Sequence, residues 1–342
     1  MKRLRVALLT HEDLVPPDTL EGQDPKDVQR WKTEFDVAGA LKDLGHELRV
    51  LGVSDDLAPI RRLHEEWRPH VVFNLLMEFR DVGAFQVHVA SYLELLGQCY
   101  TGCNPRGILL ARDKAVSKKI LRYHRVPTPS FTVFRLGRAV RPARGLRFPL
   151  IVKSVDEEAS LGIAQASVVR SSEQLEERVR FVHESLASDA MAEEYVDGRE
   201  LTLSLVGNER LACFPIWEMV FRNLPEGSVP IATAHAKWDL DYQQRVGIDI
   251  ERARDLPAEL EQRIARIGRR VYHALGLSGY ARMDLRLAPD GQVWVLEANA
   301  TPDVGSGEEL ACAARAAGLG YPQLIQRILD LGLRYRPGWQ RG

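Results

Sequence analysis

The strongest constraint on the fold of this chain is a turn sequence, Pro289-Asp290-Gly291, that lies between two runs of alternating residues. The run before the turn is YARMDLRLA, and the run after it is QVWVLEAN. Turn residues flanked by two such runs are typical of an antiparallel β-hairpin. If Asp290 and Gly291 form a two-residue loop, Pro289 lies opposite Gln292, and every later pair in the hairpin follows from this one.

Counting outward from the loop places Asp284 opposite Glu297 and Arg282 opposite Asn299. Opposed residues share a face of the sheet, and so do residues two apart along one strand. The hairpin is therefore predicted to gather these four polar groups on one side. The residues predicted to face the other side are Met283, Leu285, Leu296 and Ala298.

Two carboxylates that face each other need an explanation, because like charges directly opposed in a sheet cost about 0.2 to 1 kcal/mol. A divalent cation between Asp284 and Glu297 would turn this repulsion into attraction. Two carboxylates and the amide oxygen of Asn299 are hard oxygen ligands, and magnesium takes such ligands together with water and substrate phosphates. The hairpin thus predicts a magnesium site and a bound nucleotide. The alternative is an exposed sheet face on which both acids are simply solvated.

The first hundred residues alternate between strand and helix patterns, which predicts a small parallel sheet with helices on its faces. The predicted strands are RVALLT, HELRVLGV and PHVVFNLL, and the predicted helices are TEFDVAGALKDLG and AFQVHVASYLELLG. Gly45 and Gly97 are expected to close the two helices.

A different pattern follows. The stretch NPRGILLARDKAVSKKILRYHR predicts one basic amphipathic helix that ends before Pro127 and Pro129. A largely antiparallel sheet is predicted next, with the strands FPLIVKSV, GIAQASVV, MAEEYV and ELTLSLVGN. Long helices are predicted for SSEQLEERVRFVHESL and LPAELEQRIARIGRRVYHALGL, and a final helical region follows the hairpin.

Composition excludes several classes of protein. The 342 residues, 45% of them hydrophobic, suffice for two or three domains. A net charge of -1, from 46 basic and 47 acidic residues, favours neither nucleic acid nor a membrane surface as a partner. The four cysteines lack zinc-site spacing, and no run approaches membrane-span length. We therefore expect reduced thiols and a cytoplasmic location.

Lysines provide a second indication of a phosphate ligand. Lys153 ends the apolar run FPLIV, and a lysine beside a buried strand requires an anion. Lys114 and Lys118 are four apart on one predicted helix, which by itself is usual for a solvated face, and Lys237 is uninformative alone. The segment DEEASLGIAQ after Lys153 is either a loop that covers phosphates or an ordinary hairpin.

Six segments of the chain occur in an order that resembles the ATP-grasp enzymes, and among them the D-alanine-D-alanine ligases. These segments are DKAVSKKIL, PLIVKSVDEEASLGI, MAEEYVDGRELTLSLVGN, AHAKW, ARMDLRL and VWVLEANATP. The resemblance covers residues 98 to about 320. It implies an α/β and α+β fold, with an N-terminal parallel α/β domain at 1–104 and ATP-grasp subdomains at 105–190 and 191–335. Such enzymes make an acyl phosphate from a carboxylate and ATP, and an amine then attacks it.

The resemblance also implies roles for individual residues. Lys114 and Lys153 match lysines on the nucleotide phosphates, Lys237 matches a lysine that reaches the terminal phosphates, and Arg282 matches an arginine that steadies the acyl phosphate. The segment implied to hold adenine consists of Glu193, Glu194, Tyr195 and Val196, with Glu200 on the ribose. The implied ligands of Mg²⁺ or Mn²⁺ are Asp284, Glu297 and Asn299. Taken without these other motifs, EEYVDGRE is typical of an acidic edge strand.

Departures from the family pattern bear on the substrate. Where the family has a glycine-rich opening, this chain reads LLTHEDLVPPD. The serine of the family's phosphate-covering loop is replaced by Ala159, which lies beside Glu158. The family's tyrosine after the third lysine is replaced by Trp238. A proline-glycine pair becomes Pro302-Asp303, and Glu308 and Glu309 follow where the second substrate's carboxylate would dock. An acidic pair there would repel a carboxylate, so we expect an amine acceptor other than D-alanine.

Three functions stay open at this stage. They are an ATP-dependent ligase of carboxylates and amines, an ATP-grasp kinase of a small molecule, and a regulatory protein that binds ATP without chemistry. The expected partners are amino-acid-like substrates, and the resemblance suggests a homodimer through the N-terminal domain. His11, Arg80, Asp81 and His88 are interpreted as surface or packing residues.

Overall fold

The computed structural model describes residues 3–141, 143, 145–156, 162–233 and 239–338. Its N-terminal unit is a parallel three-stranded sheet of order β2-β1-β3, with β1 in the centre. The strands are β1 (Arg5–Thr10), β2 (Glu47–Gly52) and β3 (Val71–Asn74). All three predicted strands and their parallel pairing are confirmed.

Three helices accompany this sheet, namely α1 (Pro25–Asp43), α2 (Ala58–Arg62) and α3 (Gln86–Leu95). The α1 helix begins earlier than the predicted segment because Asp24 caps it, its side chain accepting a hydrogen bond from the Lys26 amide at 2.8 Å. Gly45 and Gly97 lie just beyond α1 and α3 with φ of 76° and 66°, as expected of glycines that end helices.

The single basic helix predicted after residue 104 is wrong, because the structure has two helices there. They are α4 (Pro105–Arg112) and α5 (Lys114–Tyr123). The break is at Asp113, whose backbone is extended and whose side chain accepts a hydrogen bond from the Val116 amide at 2.8 Å. This capping bond satisfies an amide at the start of α5, and it makes Lys114 the first residue of that helix.

The central sheet is antiparallel, with strand order β4-β7-β5-β6. Its elements are β4 (Phe131–Phe134), β5 (Leu150–Ser154), β6 (Val168–Val169), α6 (Ser172–Leu186) and β7 (Ala190–Glu194). The run GIAQASVV contributes only the two residues of β6, since Gln165–Ser167 is a 3-10 turn. The β7 strand pairs with β5 as well as with β4, so this sheet includes residues up to Glu194.

A second antiparallel sheet, of order β11-β10-β8-β12-β13 with β9 paired to β8, is the larger of the two antiparallel sheets. Its strands are β8 (Arg199–Val206), β9 (Ala212–Cys213), β10 (Trp217–Phe221), β11 (Ile248–Arg252), β12 (Tyr280–Leu287) and β13 (Val293–Asn299). Two helices lie between these strands in sequence, α7 (Leu240–Val246) and α8 (Ala258–Ala274).

The last two helices, α9 (Glu309–Ala316) and α10 (Tyr321–Arg334), return to the N-terminal unit. Their buried residues share one hydrophobic core with α1 and the parallel sheet, in which Leu324 and Ile328 join Val37, Leu41 and Phe73. The segment between β13 and α9 must therefore pass from the large sheet to the N-terminal unit. This path closes one side of the candidate site.

Candidate active site

The predicted pairing at the polar end of the hairpin is confirmed. Arg282 is paired with Asn299 and Asp284 with Glu297 across β12 and β13. Because residues two apart on a strand share a face, these four side chains lie on one side of the sheet. Asp284 is only 8% exposed, whereas the Glu297 side chain is 31% exposed.

The loop of the hairpin differs from the prediction. Hydrogen bonds from the Ala288 amide to the Gln292 carbonyl and from the Gly291 amide to the Ala288 carbonyl enclose three residues, not two. A register shift next to Leu285 compensates, since Leu285 pairs with Val295 and leaves Leu296 as an extra residue. The prediction that Leu296 faces away from the polar cluster is wrong, because the bulge turns it into the cavity beside Glu297.

Arg282 lies between two carboxylates. Its Nε and Nη2 donate to Asp284 Oδ1 and Oδ2 at 2.7 and 2.9 Å, and its Nη1 lies 3.2 Å from Glu309 Oε2. Burial opposes the charge of the guanidinium, but these carboxylates outweigh that effect and raise the pKa of Arg282 above its usual value. The arginine thus stays charged next to the predicted metal ligands.

The predicted anion beside Lys153 is present within the chain. Lys153 Nζ lies 2.6 Å from Glu193 Oε1, and Lys118 Nζ lies 2.7 Å from Glu193 Oε2. Burial raises the pKa of Glu193 and the two lysines lower it, with a net shift below the ordinary value. Burial also lowers the pKa of Lys118 to about 8. Sequence reasoning gave Glu193 to the adenine segment and left Lys118 undecided, whereas the structure joins both to Lys153.

Lys114 approaches the hairpin from α5. Its Nζ lies 4.0 Å from Glu297 Oε2, and its side chain is 8% exposed. Asn299 Oδ1 accepts a hydrogen bond from the Thr301 amide at 2.9 Å, which fixes the direction of the carboxamide. A second lone pair on this oxygen remains for a cation. The donor set of Asp284, Glu297 and Asn299 therefore has the oxygen chemistry that magnesium requires.

A cavity of about 70 Å³ lies between the two antiparallel sheets, next to these groups. The segment predicted to hold adenine lines it along one edge, through Glu193, Glu194, Tyr195 and Val196, together with Glu200. Apolar side chains line the rest of it, Ile151 of β5 and Leu296 of β13 from the two sheets and Ile163 and Ile231 from loops. An apolar slot with a polar edge suits an aromatic base attached to a sugar.

Arg286 is a cavity residue that sequence reasoning missed. It is 3% exposed, and its Nη2 donates to Glu200 Oε2 at 2.9 Å, while its Nη1 donates to the Pro230 carbonyl at 2.9 Å. The signal was available, because Arg286 is two residues beyond Asp284 and so lies on the same face of β12. This pairing orients the carboxylate that was assigned to the ribose.

Two larger cavities lie beyond this polar cluster, toward the N-terminal unit. One, of about 370 Å³, is lined by Arg112, Lys114, Arg282, Glu297, Asn299, Asp303, Glu308 and Glu309, among others. The other, of about 600 Å³, is lined from α1 by Gln29, Arg30, Thr33 and Glu34. Asp303 lines both. Burial raises the pKa of Glu34 from 4.5 to about 7, although Thr10 Oγ1 donates to its carboxyl at 3.0 Å.

The chain is similar to known proteins over most of its length. The family model described as D-ala D-ala ligase C-terminus matches residues 123–330. An uncharacterized protein of Sinorhizobium fredii, y4sG, is 33% identical over 323 residues, covering 91% of this chain and 90% of its own length. A D-alanine-D-alanine ligase of Bordetella avium is 33% identical over 257 residues, covering 73% and 74%.

This chain belongs to the D-alanine-D-alanine ligase family. The fold agrees, because the crystal structure of D-alanine-D-alanine ligase from Bacillus anthracis complexed with ATP superposes with a TM-score of 0.73. That superposition covers 97% of this chain and 98% of the other, at 24% sequence identity. The sequence-based assignment to the ATP-grasp fold, with a parallel α/β domain followed by α+β subdomains, is therefore confirmed.

Several family positions of this ligase-like chain are not placed. Four of them lie outside the described residues, namely Lys237, Trp238, Glu158 and Ala159. The roles of the lysine, and of the loop assigned to phosphate, stay predictions. Where the structure describes the chain, it has no helix long and apolar enough to cross a membrane.

The two acids that depart from the family pattern differ in their surroundings. Glu309 is ion-paired with Arg282, which it shares with Asp284, and its side chain is 16% exposed. Glu308 lines the 370 Å³ cavity, and its side chain is exposed there. Because Glu309 is ion-paired, the predicted repulsion of a substrate carboxylate depends on Glu308, with Asp303 beside it.

Proposed function

We propose that this ligase-family protein joins a carboxylate to an amine at the expense of ATP, through an acyl phosphate, and that its amine acceptor is not D-alanine. The observation that carries the proposal is the paired acids Asp284 and Glu297, with Asn299 and Arg282 on the same face of the hairpin. The kinase and the catalytically silent alternatives share the nucleotide site, but they do not require Arg282 to face the 370 Å³ cavity.

The nucleotide would lie with its base in the slot beside Tyr195 and Val196 and with its ribose near Glu200. Lys153 and Lys114 then flank its phosphates from the central sheet and from α5. Both lysines already lie beside carboxylates, so their ammonium groups are held in place before ligand binds. Preorganised charge of this kind stabilises the phosphoryl oxygens without reorganisation during transfer.

Asp284, Glu297 and Asn299 would hold magnesium or manganese. Bound with ATP, the ion would neutralise charge on the transferred phosphoryl group. Asp284 is hydrogen-bonded to Arg282, and Arg282 also contacts Glu309. The arginine therefore keeps one carboxylate partner when the other binds a cation, and its remaining donors face the cavity in which an acyl phosphate would form.

Trapping with hydroxylamine tests the proposal without knowledge of the acceptor. The protein is incubated with MgATP, hydroxylamine and a panel of D- and L-amino acids, and hydroxamate and ADP are measured. We expect at least one acid to give hydroxamate, because hydroxylamine intercepts an acyl phosphate directly. A phosphate ester without hydroxamate would instead establish the kinase, and the absence of both products would contradict any ligase activity.

Glu297→Gln provides the matched variant. It removes one ligand charge at nearly constant shape, so we expect hydroxamate formation to fall on the order of 100-fold with unchanged circular dichroism. Glu184→Gln, at an exposed position of α6, serves as the control and should retain full activity. Full activity of Glu297→Gln would contradict the metal assignment.

A further inference from the structure

The 370 Å³ cavity has walls of opposite charge. One side is lined by Arg112 at the end of α4, Lys114 of α5 and Arg282 of the hairpin, with the Glu297 carboxylate beside Lys114. The other side is lined by Asp303 and Glu308, where the chain leaves β13 for α9. On the proposed function, on which this inference rests, the acyl phosphate is an anion and belongs at the cationic wall. The acceptor amine must then approach from the acidic wall, because the reacting carbon lies between the two.

The carboxylates of the acidic wall are not equivalent. Glu309 is paired with Arg282, and Asp303 Oδ1 accepts hydrogen bonds from Thr33 Oγ1 at 2.7 Å and from the Gly305 amide at 2.8 Å. Within the described part of the chain, the Glu308 carboxylate has neither a hydrogen bond nor an ion pair. It is the acid of this wall that is available to a ligand.

An amine substrate reaches the enzyme as an ammonium ion and must lose a proton before it can attack. We propose that Glu308 binds the acceptor ammonium and serves as the general base that removes this proton. The amine lone pair then forms the C–N bond as the C–O bond to the phosphoryl group breaks. The first proton passes to the Glu308 carboxylate and from there to solvent, and the second N–H proton passes to the departing phosphoryl oxygen, so that hydrogen phosphate leaves.

The surroundings of Glu308 suit this role. Partial burial, followed by the charges of Asp303 and Glu309, raises its pKa from 4.5 to about 7, with Arg282 opposing and Asp36 adding to the shift. A base with a pKa near the working pH combines a useful ionised fraction with sufficient proton affinity. An incoming ammonium would also relieve the repulsion among these carboxylates.

The same geometry defines the class of acceptor. A carboxylate next to the attacking amine, as in a free amino acid, would lie against Glu308 and Asp303 and be repelled. A neutral group at that position is not repelled. The acceptor is therefore a primary amine without an adjacent carboxylate, such as an amino amide or an alkyl amine.

Matched acceptors test the substrate class. With the donor acid that gives most hydroxamate, amide formation is compared for D-alanine and D-alaninamide, for L-alanine and L-alaninamide, and for glycine and glycinamide. We expect each amide to exceed its acid at least tenfold in kcat/KM. Equal or better use of the free amino acids would overturn the inference while leaving the proposed function intact. Failure to form hydroxamate with any donor would overturn both.

Variants of Glu308 test the base. For Glu308→Gln we expect amide formation to fall on the order of 100-fold more than hydroxamate formation. Hydroxylamine is a neutral nucleophile at the assay pH, so it does not need a base to remove an ammonium proton before it attacks. The fall of activity toward acid pH, centred near the pKa of about 7, should disappear in this variant. Glu308→Asp should retain part of the activity together with the acid limb.

Glu184→Gln is again the control, since its side chain is exposed on a helix of the central unit. A purely structural role of Glu308 predicts a different result, in which hydroxamate and amide formation fall together and the pH profile keeps its shape. That result would overturn the assignment of Glu308 as a base.

Discussion

At the residue scale, the most demanding electrostatic feature is the carboxylate of Glu193. It is 2% exposed and holds two lysines whose side chains are 1% and 8% exposed. The Lys118 ammonium also donates to Thr128 Oγ1 at 2.9 Å. The two ammonium groups repel each other, so the set is stable only because Glu193 lies between them and offsets the desolvation penalty of both.

Glu193→Gln should therefore be strongly destabilising. The variant leaves two buried ammonium groups with a neutral partner, and we expect the free energy of unfolding to fall by about 3 to 5 kcal/mol. Denaturation in urea, followed by circular dichroism, measures this change.

The adjacent residue offers a matched control. Glu194 accepts hydrogen bonds from the amide and side chain of Arg147, a residue whose side chain is 90% exposed. Glu194→Gln keeps an accepting oxygen at a partly solvated site, so its cost should stay below about 1 kcal/mol. Equal losses in the two variants would show that the Glu193 charge does not support the lysine pair.

At the element scale, the hairpin shows how far a local pattern predicts a site. Alternation and the turn sequence predicted the antiparallel pair, and the facing of Asp284 and Glu297 followed from the register. The prediction placed one residue too few in the loop and omitted the bulge at Leu296. The two errors cancel at the polar end, because each shifts the pairing by one residue in opposite directions. Bulges depend on what packs against both faces of a strand, and alternation along one strand does not report that.

The segment from residue 302 to 309 is a second element on which the site depends. Thr33 of α1 donates to Asp303, and the amide and hydroxyl of Ser306 donate to Asp36 Oδ2 at 3.0 and 2.7 Å. These bonds fasten the acidic wall of the cavity to the N-terminal unit. Glu308 follows directly, so its position depends on them.

Thr33→Val tests this attachment, since it removes the hydroxyl at constant shape. Loss of a hydrogen bond of about 1 kcal/mol should raise the KM for the amine acceptor about fivefold, with the KM for ATP unchanged. Steady-state kinetics measures both constants. Thr132→Val, on β4 of the central sheet, is the control. An effect on ATP alone would contradict the proposed attachment.

At the scale of the whole molecule, the candidate site lies where three units meet. The central sheet supplies Lys153 and Glu193, the large sheet supplies the hairpin, and the N-terminal unit closes the far side through α1. A ligand that contacts more than one unit stabilises their arrangement, because it binds only the assembled form.

MgATP should consequently raise the thermal unfolding temperature. At 100 times its dissociation constant, a ligand adds about 2.7 kcal/mol to stability. We expect a clear upward shift with MgATP and a much smaller one with ATP and EDTA, measured by differential scanning fluorimetry. In Glu297→Gln the difference between the two conditions should be lost. If the unfolding temperature of the native protein rose equally with MgATP and with ATP and EDTA, that result would argue against a metal at the hairpin.

The sequence by itself determined the elements and one face of the site. Hydrophobic periodicity, turn residues and helix ends are properties of neighbours in the chain, so the parallel sheet, the helices that follow its strands and the acids Asp284 and Glu297 could be derived from local patterns. Even there, periodicity predicted one continuous helix, whereas the structure has two, because the Asp113 side chain caps the start of the second.

Only the tertiary structure decided which charges meet. Lys118, Lys153 and Glu193 come from three different elements, and Glu200 and Arg286 from two, and nothing in their spacing indicates contact. The same holds for Arg282 with Glu309 and for the return of α10 to α1. An ion pair forms where packing excludes water around two side chains. This exclusion depends on the assembled core, which is the sum of contacts between residues far apart along the chain.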